Sequence, residues 1–173
     1  TTKKQQKQTI TSTIISVFSK PYVKELPEKY LTDEVMREAK AFSDTAIVFI
    51  GRSGSEQHDM KSEDLCISLP ERQMLDKVCR HIENVVVILN TAGVLECGFL
   101  DEYPSIKGAM FVGFMARTGM RSVVRLLRGE FNPSGRTVDT WYYYTQDHPA
   151  SKNSGDFKYQ NAKNRYLLMY KED

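Results

Sequence analysis

Residues 45–50, TAIVFI, run straight into the polar stretch GRSGSEQHD at 51–59, and no other feature restricts the fold of this chain so tightly. A continuous apolar segment rich in Ile, Val and Phe and bounded by turn residues reads as a strand buried on both faces. Such strands belong to parallel sheets covered by helices, in which ligands gather at the strands' carboxyl ends. Glu56 therefore follows a strand at the position where these folds place their chemistry.

Two more apolar runs, 85–89 and 109–113, alternate with amphipathic helices. Thr32 is an N-cap candidate ahead of a helix over 33–43, with Asp33 and Glu34 in the first turn and Val35, Met36, Ala39 and Phe42 on one face. Ser68, Pro70 and Glu71 form a capping-box start for a helix over 70–82, where Met74, Leu75, Val78, Cys79 and Ile82 recur at helical spacing. A third helix, about 119–128, is stopped by Gly129. This alternation predicts an α/β fold, a three-layer α/β/α sandwich around a mainly parallel sheet joined by right-handed crossovers. Residues 1–32, with a polar, basic opening, a strand-prone stretch at 9–18 and two prolines, read as a lead-in arm and connector; 33–173 form the domain. Beyond Asn132 the expectation is loop with one or two late strands.

Composition narrows the function classes. With 173 residues, 40% of them hydrophobic, the chain is one globular domain; its net charge of +2 does not call for a polyanionic partner, and no apolar run reaches the ~20 residues of a membrane span. Cys66, Cys79 and Cys97 are odd in number and form no CxxC pair. That pattern suits reduced, buried thiols rather than a disulfide framework or a zinc site, so a reducing, cytoplasmic setting is expected. The chain opens on Thr1 and is expected to be a piece of a longer protein.

Several residue patterns invite chemistry. In the 51–59 loop, Gly51 and Gly54 give the backbone freedom, and Glu56, His58 and Asp59 are either a general acid with its neighbours or a solvated acidic loop. The loop lacks GxGxxG and an immediately following helix, against a phosphate cradle; Ser55 stands where a serine-hydrolase elbow needs glycine. One histidine with two carboxylates has the ligand types for a metal, but neither metal nor cofactor is expected. Arg121, Arg125 and Arg128 can meet phosphates, yet with Met120, Val123, Val124 and Leu127 opposite they read as the solvated side of an amphipathic helix, and no nucleic acid partner is expected. The aromatic run 141–144 suits either sugar stacking or packing against a sheet edge.

The order DTAIVFIGRSGSEQHD, SLPERQMLDKV, NVVVILNTAGVLE, IKGAMFVGF and LLRGEFNPSGRTVDTW resembles the C-terminal α/β sandwich domain of family 3 glycoside hydrolases, the family of many β-glucosidases. The likeness runs from about residue 39 to about residue 141, and NPSGR at 132–136 is its most specific piece.

That resemblance implies a division of labour. Enzymes of this family pair a (β/α)8 barrel carrying an aspartate nucleophile with this domain, whose loop after an early strand supplies the acid/base carboxylate. The loop pattern matches Arg52, Ser53, Gly54, Ser55, Glu56 and Asp59, with Ser55 where glycine is common. It implies Glu56 as the acid/base, Arg52, His58 and Asp59 beside the substrate, Asp59 also orienting the loop, and a β-glucoside or oligosaccharide as substrate. The chain is short of the ~250 residues of a barrel, so the nucleophile is expected elsewhere. One departure stands out: residues 114–119, FMARTG, lack the family's usual turn after the third strand. A non-catalytic sugar-binding or barrel-supporting module of the same fold, and an unrelated Rossmann-like binding protein, are the competing readings.

Overall fold

The structure, a computed structural model, describes residues 28–52, 62–115 and 118–147. Thr32 accepts a hydrogen bond from the Val35 N–H at 3.2 Å and opens helix α1, Asp33–Phe42. The acidic first turn complements the helix dipole. Met36 carries α1 into the core, whereas Phe42, read as part of the same apolar face, is 92% exposed. Strand β1, Thr45–Arg52, follows. After a 3-10 turn at Ser62–Leu65 comes helix α2, Leu69–His81, with the capping box and first-turn proline that its sequence predicts. Strand β2, Asn84–Thr91, the single-turn helix α3, Phe99–Glu102, strand β3, Ile106–Phe111, and helix α4, Met120–Leu127, complete the order. Gly129 ends α4 with φ +72, a left-handed conformation that glycine adopts without a Cβ penalty.

All three strands are parallel, in the order β1-β2-β3. The register sets Ala46, Val48 and Ile50 beside Val85, Val87 and Leu89, so these side chains share one face by strand alternation. That face meets Met36 of α1 and Leu75, Val78 and Ile82 of α2 and its cap in one core cluster, closed at the carboxyl side by Leu95 and Phe99. Each fully buried aliphatic side chain here contributes roughly 1.5–3 kcal/mol. Ile88 of β2 and Val123 of α4 are also buried but stand outside that cluster. Val123 lines a cavity with Met110, which the register places on the Ile88 face, so α4 covers the second face near β2 and β3 and makes the third layer.

Three expectations change. β1 is not buried on both faces: Ile47 is 47% and Phe49 41% exposed, because among the described residues β1 is an edge strand and α4 lies at the other side of the sheet. β3 begins at Ile106 rather than 109; Lys107 and Gly108 look like a turn in sequence, yet pairing with β2 and a register shift between Val85 and Val86 extend the ladder to Ile106. Of the apolar side read for α4 only Val123 is buried, Val124 being 51% exposed. Between 132 and 147 the structure holds no strand, only a 3-10 turn at Thr145–Asp147. The cysteines are free thiols, each half-buried. Among the described residues no helix is long and apolar enough to cross a membrane.

Candidate active site at the carboxyl ends of β1 and β2

Arg52 is the last residue of β1, and its side chain is 13% exposed. The guanidinium forms a two-pronged ion pair with Glu71: Nη1 donates to Oε1 and Nη2 to Oε2, the latter at 2.6 Å. Nη1 also donates to the Gly51 carbonyl at 2.8 Å, Nη2 to the Cys66 carbonyl at 2.9 Å, and Nε to the Asp64 carbonyl at 3.4 Å. A planar guanidinium suits this task because its donors are fixed in a fork that a lysine lacks.

Glu71 is wholly buried. It is the third residue of α2, and its Oε2 accepts the Ser68 N–H at 2.6 Å while Ser68 Oγ accepts the Glu71 N–H at 3.4 Å. One carboxylate thus completes the capping box and neutralises Arg52. Burial opposes its charge, but Arg52 and the Ser68 donors outweigh burial and hold its carboxyl below the usual range.

A second carboxylate gathers the neighbouring loops. Glu96, just beyond β2, accepts the Cys66 thiol at 3.1 Å on Oε2 and the Thr145 N–H at 2.7 Å on Oε1. Its own N–H donates to the Leu65 carbonyl at 2.8 Å, and the N–H groups of Cys97 and Gly98 donate to the carbonyls of Tyr142 and Tyr143 at 3.0 and 3.3 Å. Burial raises the Glu96 pKa, but the Thr145 and Cys66 donors prevail and leave it lowered. Burial, with Glu96 next to it, pushes the Cys66 thiol up to about 11. Gly98 is required by close approach: a Cβ there would lie 3.0 Å from the Tyr143 carbonyl oxygen. The Tyr143 hydroxyl donates to Asp101 at 2.6 Å, and Trp141 meets Phe111 edge to face at 4.9 Å. Of the aromatic run, Trp141 therefore packs against the sheet, while Tyr143 and Tyr144 are each 58% exposed.

Glu56, His58 and Asp59 lie outside the described residues, so among the expected site residues the structure places Arg52 alone. What it shows is how the connection bearing them is held at each foot: β1 ends on Arg52, and the returning chain at 64–66 rests on the same guanidinium. Among the described residues no group of His, Cys, Asp or Glu side chains is arranged to hold a metal ion. Sequence reading did not find the pairing of Arg52 with Glu71, because the capping box already explains that glutamate locally. Nor did it single out Glu96, whose partners come from both sides of it in sequence.

NPSGR at 132–136 is exposed and lines a cavity of about 650 Å³ with Met110, Phe111, Val123 and Phe131. Arg125 of α4 and Arg128, its C-cap, both turn to Glu130, and Arg125 also lies over the Phe131 ring at 5.2 Å.

A parallel sheet covered by helices, with its carboxyl-end loops gathered round the buried Glu71 and the half-buried Glu96, defines an α/β sandwich domain of the kind that carries ligands or chemistry at that end. The chain belongs to the glycosyl hydrolase family 3 C-terminal domain family, whose model matches residues 2–173. It is 33% identical to a β-glucosidase of Ruminococcus albus over 148 residues, covering 84% of this chain and 15% of that protein. It is 23% identical to β-glucosidase A of Butyrivibrio fibrisolvens over 151 residues, 73% of this chain and 18% of that protein. Among solved structures, a β-glucosidase from Paenibacillus barengoltzii superposes with a TM-score of 0.72 at 32% identity, over 88% of this chain and 17% of that one. The chain thus spans less than a fifth of the length of each of these three proteins.

Proposed function

We propose that this chain is the second domain of a retaining β-glycosidase, a β-glucosidase, and that Glu56 is its acid/base. The observation that supports this most directly is the mounting of the 53–61 connection: it leaves the sheet at the carboxyl end of β1 from an arginine fixed to the body of the domain, in a chain of this family. The relatives named above are β-glucosidases, which favours a β-glucoside or oligosaccharide substrate.

Retaining hydrolysis needs two carboxyl groups about 5–5.5 Å apart, one nucleophilic and one that first protonates the leaving oxygen and then deprotonates water. In this reading a (β/α)8 barrel of the same enzyme supplies the nucleophile. An acid/base carboxyl has to be shielded from water to keep its proton until the leaving group needs it, and in this reading the barrel provides that shielding. Arg52 sets the base of the loop, and His58 and Asp59 are assigned to substrate binding.

Leaving-group dependence in the intact enzyme tests the assignment. Glu56→Ala slows glucosides of poor leaving groups most and activated aryl glucosides least, since general acid assistance is worth ~10²- to 10⁴-fold only where the oxygen must be protonated. Azide restores part of the rate on activated substrates and yields a β-glucosyl azide, because the anion attacks the glycosyl-enzyme without a base. Equal losses across all leaving groups with no azide product would reject Glu56 as acid/base and leave a sugar-binding or barrel-supporting module. By itself this chain is expected to turn over no aryl β-glucoside.

A further inference from the structure

We propose that Arg52 and Glu71 are positioning residues for the acid/base carboxylate, an inference that rests on the assignment of Glu56 above. The ion pair is placed where it governs the geometry of that connection as well as the start of α2. The chain leaves the sheet at Arg52 and is back on the body of the domain by residues 64–66, and one guanidinium touches both ends: the Gly51 carbonyl at 2.8 Å on the outgoing side, and the Asp64 and Cys66 carbonyls at 3.4 and 2.9 Å on the returning side. Its charge is balanced by a carboxylate that is wholly buried and itself fixed by the Ser68 N–H at the start of α2. The span between the two ends is therefore set by the α2 N-terminus, an element anchored in the core through Leu75 and Val78.

Stability alone gives little reason for this device. Replacing a buried ion pair by apolar residues of similar volume is often neutral or stabilising, whereas its directional bonds fix one arrangement of the groups they join. A catalytic group gains from that fixity, because a displacement of about 1 Å can cost ~10²-fold in rate. A loosened foot leaves the glutamate chemically intact but lets it stray from the leaving oxygen.

The test compares Arg52→Lys, Glu71→Gln and Glu56→Ala in the full-length enzyme, on glucosides whose leaving groups run from an activated nitrophenol to an alkyl alcohol. Arg52→Lys keeps the charge but cannot bridge Glu71 and the loop carbonyls together. Both positioning variants are expected to behave as partial losses of the acid: kcat falls about tenfold more for the alkyl glucoside than for the nitrophenyl one, with KM within about twofold. Arg52→Lys decides alone if Glu71→Gln does not accumulate. Damage that is only structural lowers the active fraction and depresses every substrate equally; that flat profile, alongside a steep one for Glu56→Ala, overturns the positioning role and spares the acid/base assignment. A flat profile for Glu56→Ala rejects both.

Discussion

Glu71→Gln separates the contribution of charge from that of shape at the buried pair. Glutamine has nearly the volume of glutamate, and its one carbonyl oxygen can accept from Ser68 N or from Arg52, but no longer from both prongs of the guanidinium as the carboxylate does. Removing one partner of a buried ion pair costs about 3–5 kcal/mol. The lower end applies here, since Arg52 keeps the carbonyls of Gly51, Asp64 and Cys66 and is 13% exposed. At roughly 2–4 °C per kcal/mol for a domain of this size, a loss of about 3 kcal/mol lowers Tm by ~6–12 °C. The pH dependence carries the sign. Because the folded Glu71 carboxyl titrates below its unfolded value, its contribution is fully present above the ordinary glutamate pKa of about 4.3 and disappears as pH falls through the lower folded value. Thermal unfolding of parent and variant, followed by far-UV circular dichroism from pH 7 down to 3, should show two transitions that converge on acidification. A difference under ~1 kcal/mol at pH 7, or one that does not shrink in acid, would refute the claim that the pair's charge is what the fold uses.

Other outcomes follow from single features. Cys66 and Cys97, both pushed up to about 11, chiefly by burial, should react far more slowly with iodoacetamide at pH 8 than after unfolding in urea; native-state labelling at the rate of a free thiol would contradict their environment. Trp141 is the sole tryptophan, so its emission reports its contact with Phe111: Phe111→Ala should red-shift the fluorescence and cost about 1–2 kcal/mol in urea unfolding, and an unmoved spectrum would mean the rings do not meet. Gly129→Ala should cost about 1 kcal/mol by chemical denaturation from backbone strain alone, since φ is +72 and no atom lies within 4 Å of the added Cβ; no measurable loss would count against the left-handed cap.

The parts of this fold written in neighbouring residues were the parts legible beforehand. Thr32 capping α1, Ser68 with Glu71 at α2, and Gly129 after α4 are each local, and the structure places all three where the spacing predicts. The parallel strands could be read from apolar runs, but their depth of burial could not, because Ile47 and Phe49 look like Val48 and Ile50 in sequence and differ only in what lies over them. The start of β3 was hidden behind Lys107 and Gly108, because β2 pairs with Ile106 and Gly108 only across an irregularity that skips Lys107. At the candidate site, family resemblance pointed to the 51–59 loop but not to its mounting. Arg52 and Glu71 are 19 residues apart, and nothing in either neighbourhood announces the other. Glu96 reaches Cys66, 30 residues before it, and Thr145, 49 after it, contacts that only the tertiary fold creates.

The stitching of residues 142–145 onto the loop beyond β2 has a consequence for the order in which the domain can be built. A nascent chain that has emerged only as far as α4 already holds every strand of the described sheet, with the helices that cover it. Yet the Cys97 and Gly98 N–H groups, Glu96 and the Phe111 ring still await residues 141–145. Closing a loop of that length costs entropy that grows only slowly with its span, so the delay is one of translation more than of search. Until those residues leave the ribosome, the loops at the carboxyl end of the sheet lack the hydrogen bonds and ring contact that residues 141–145 supply.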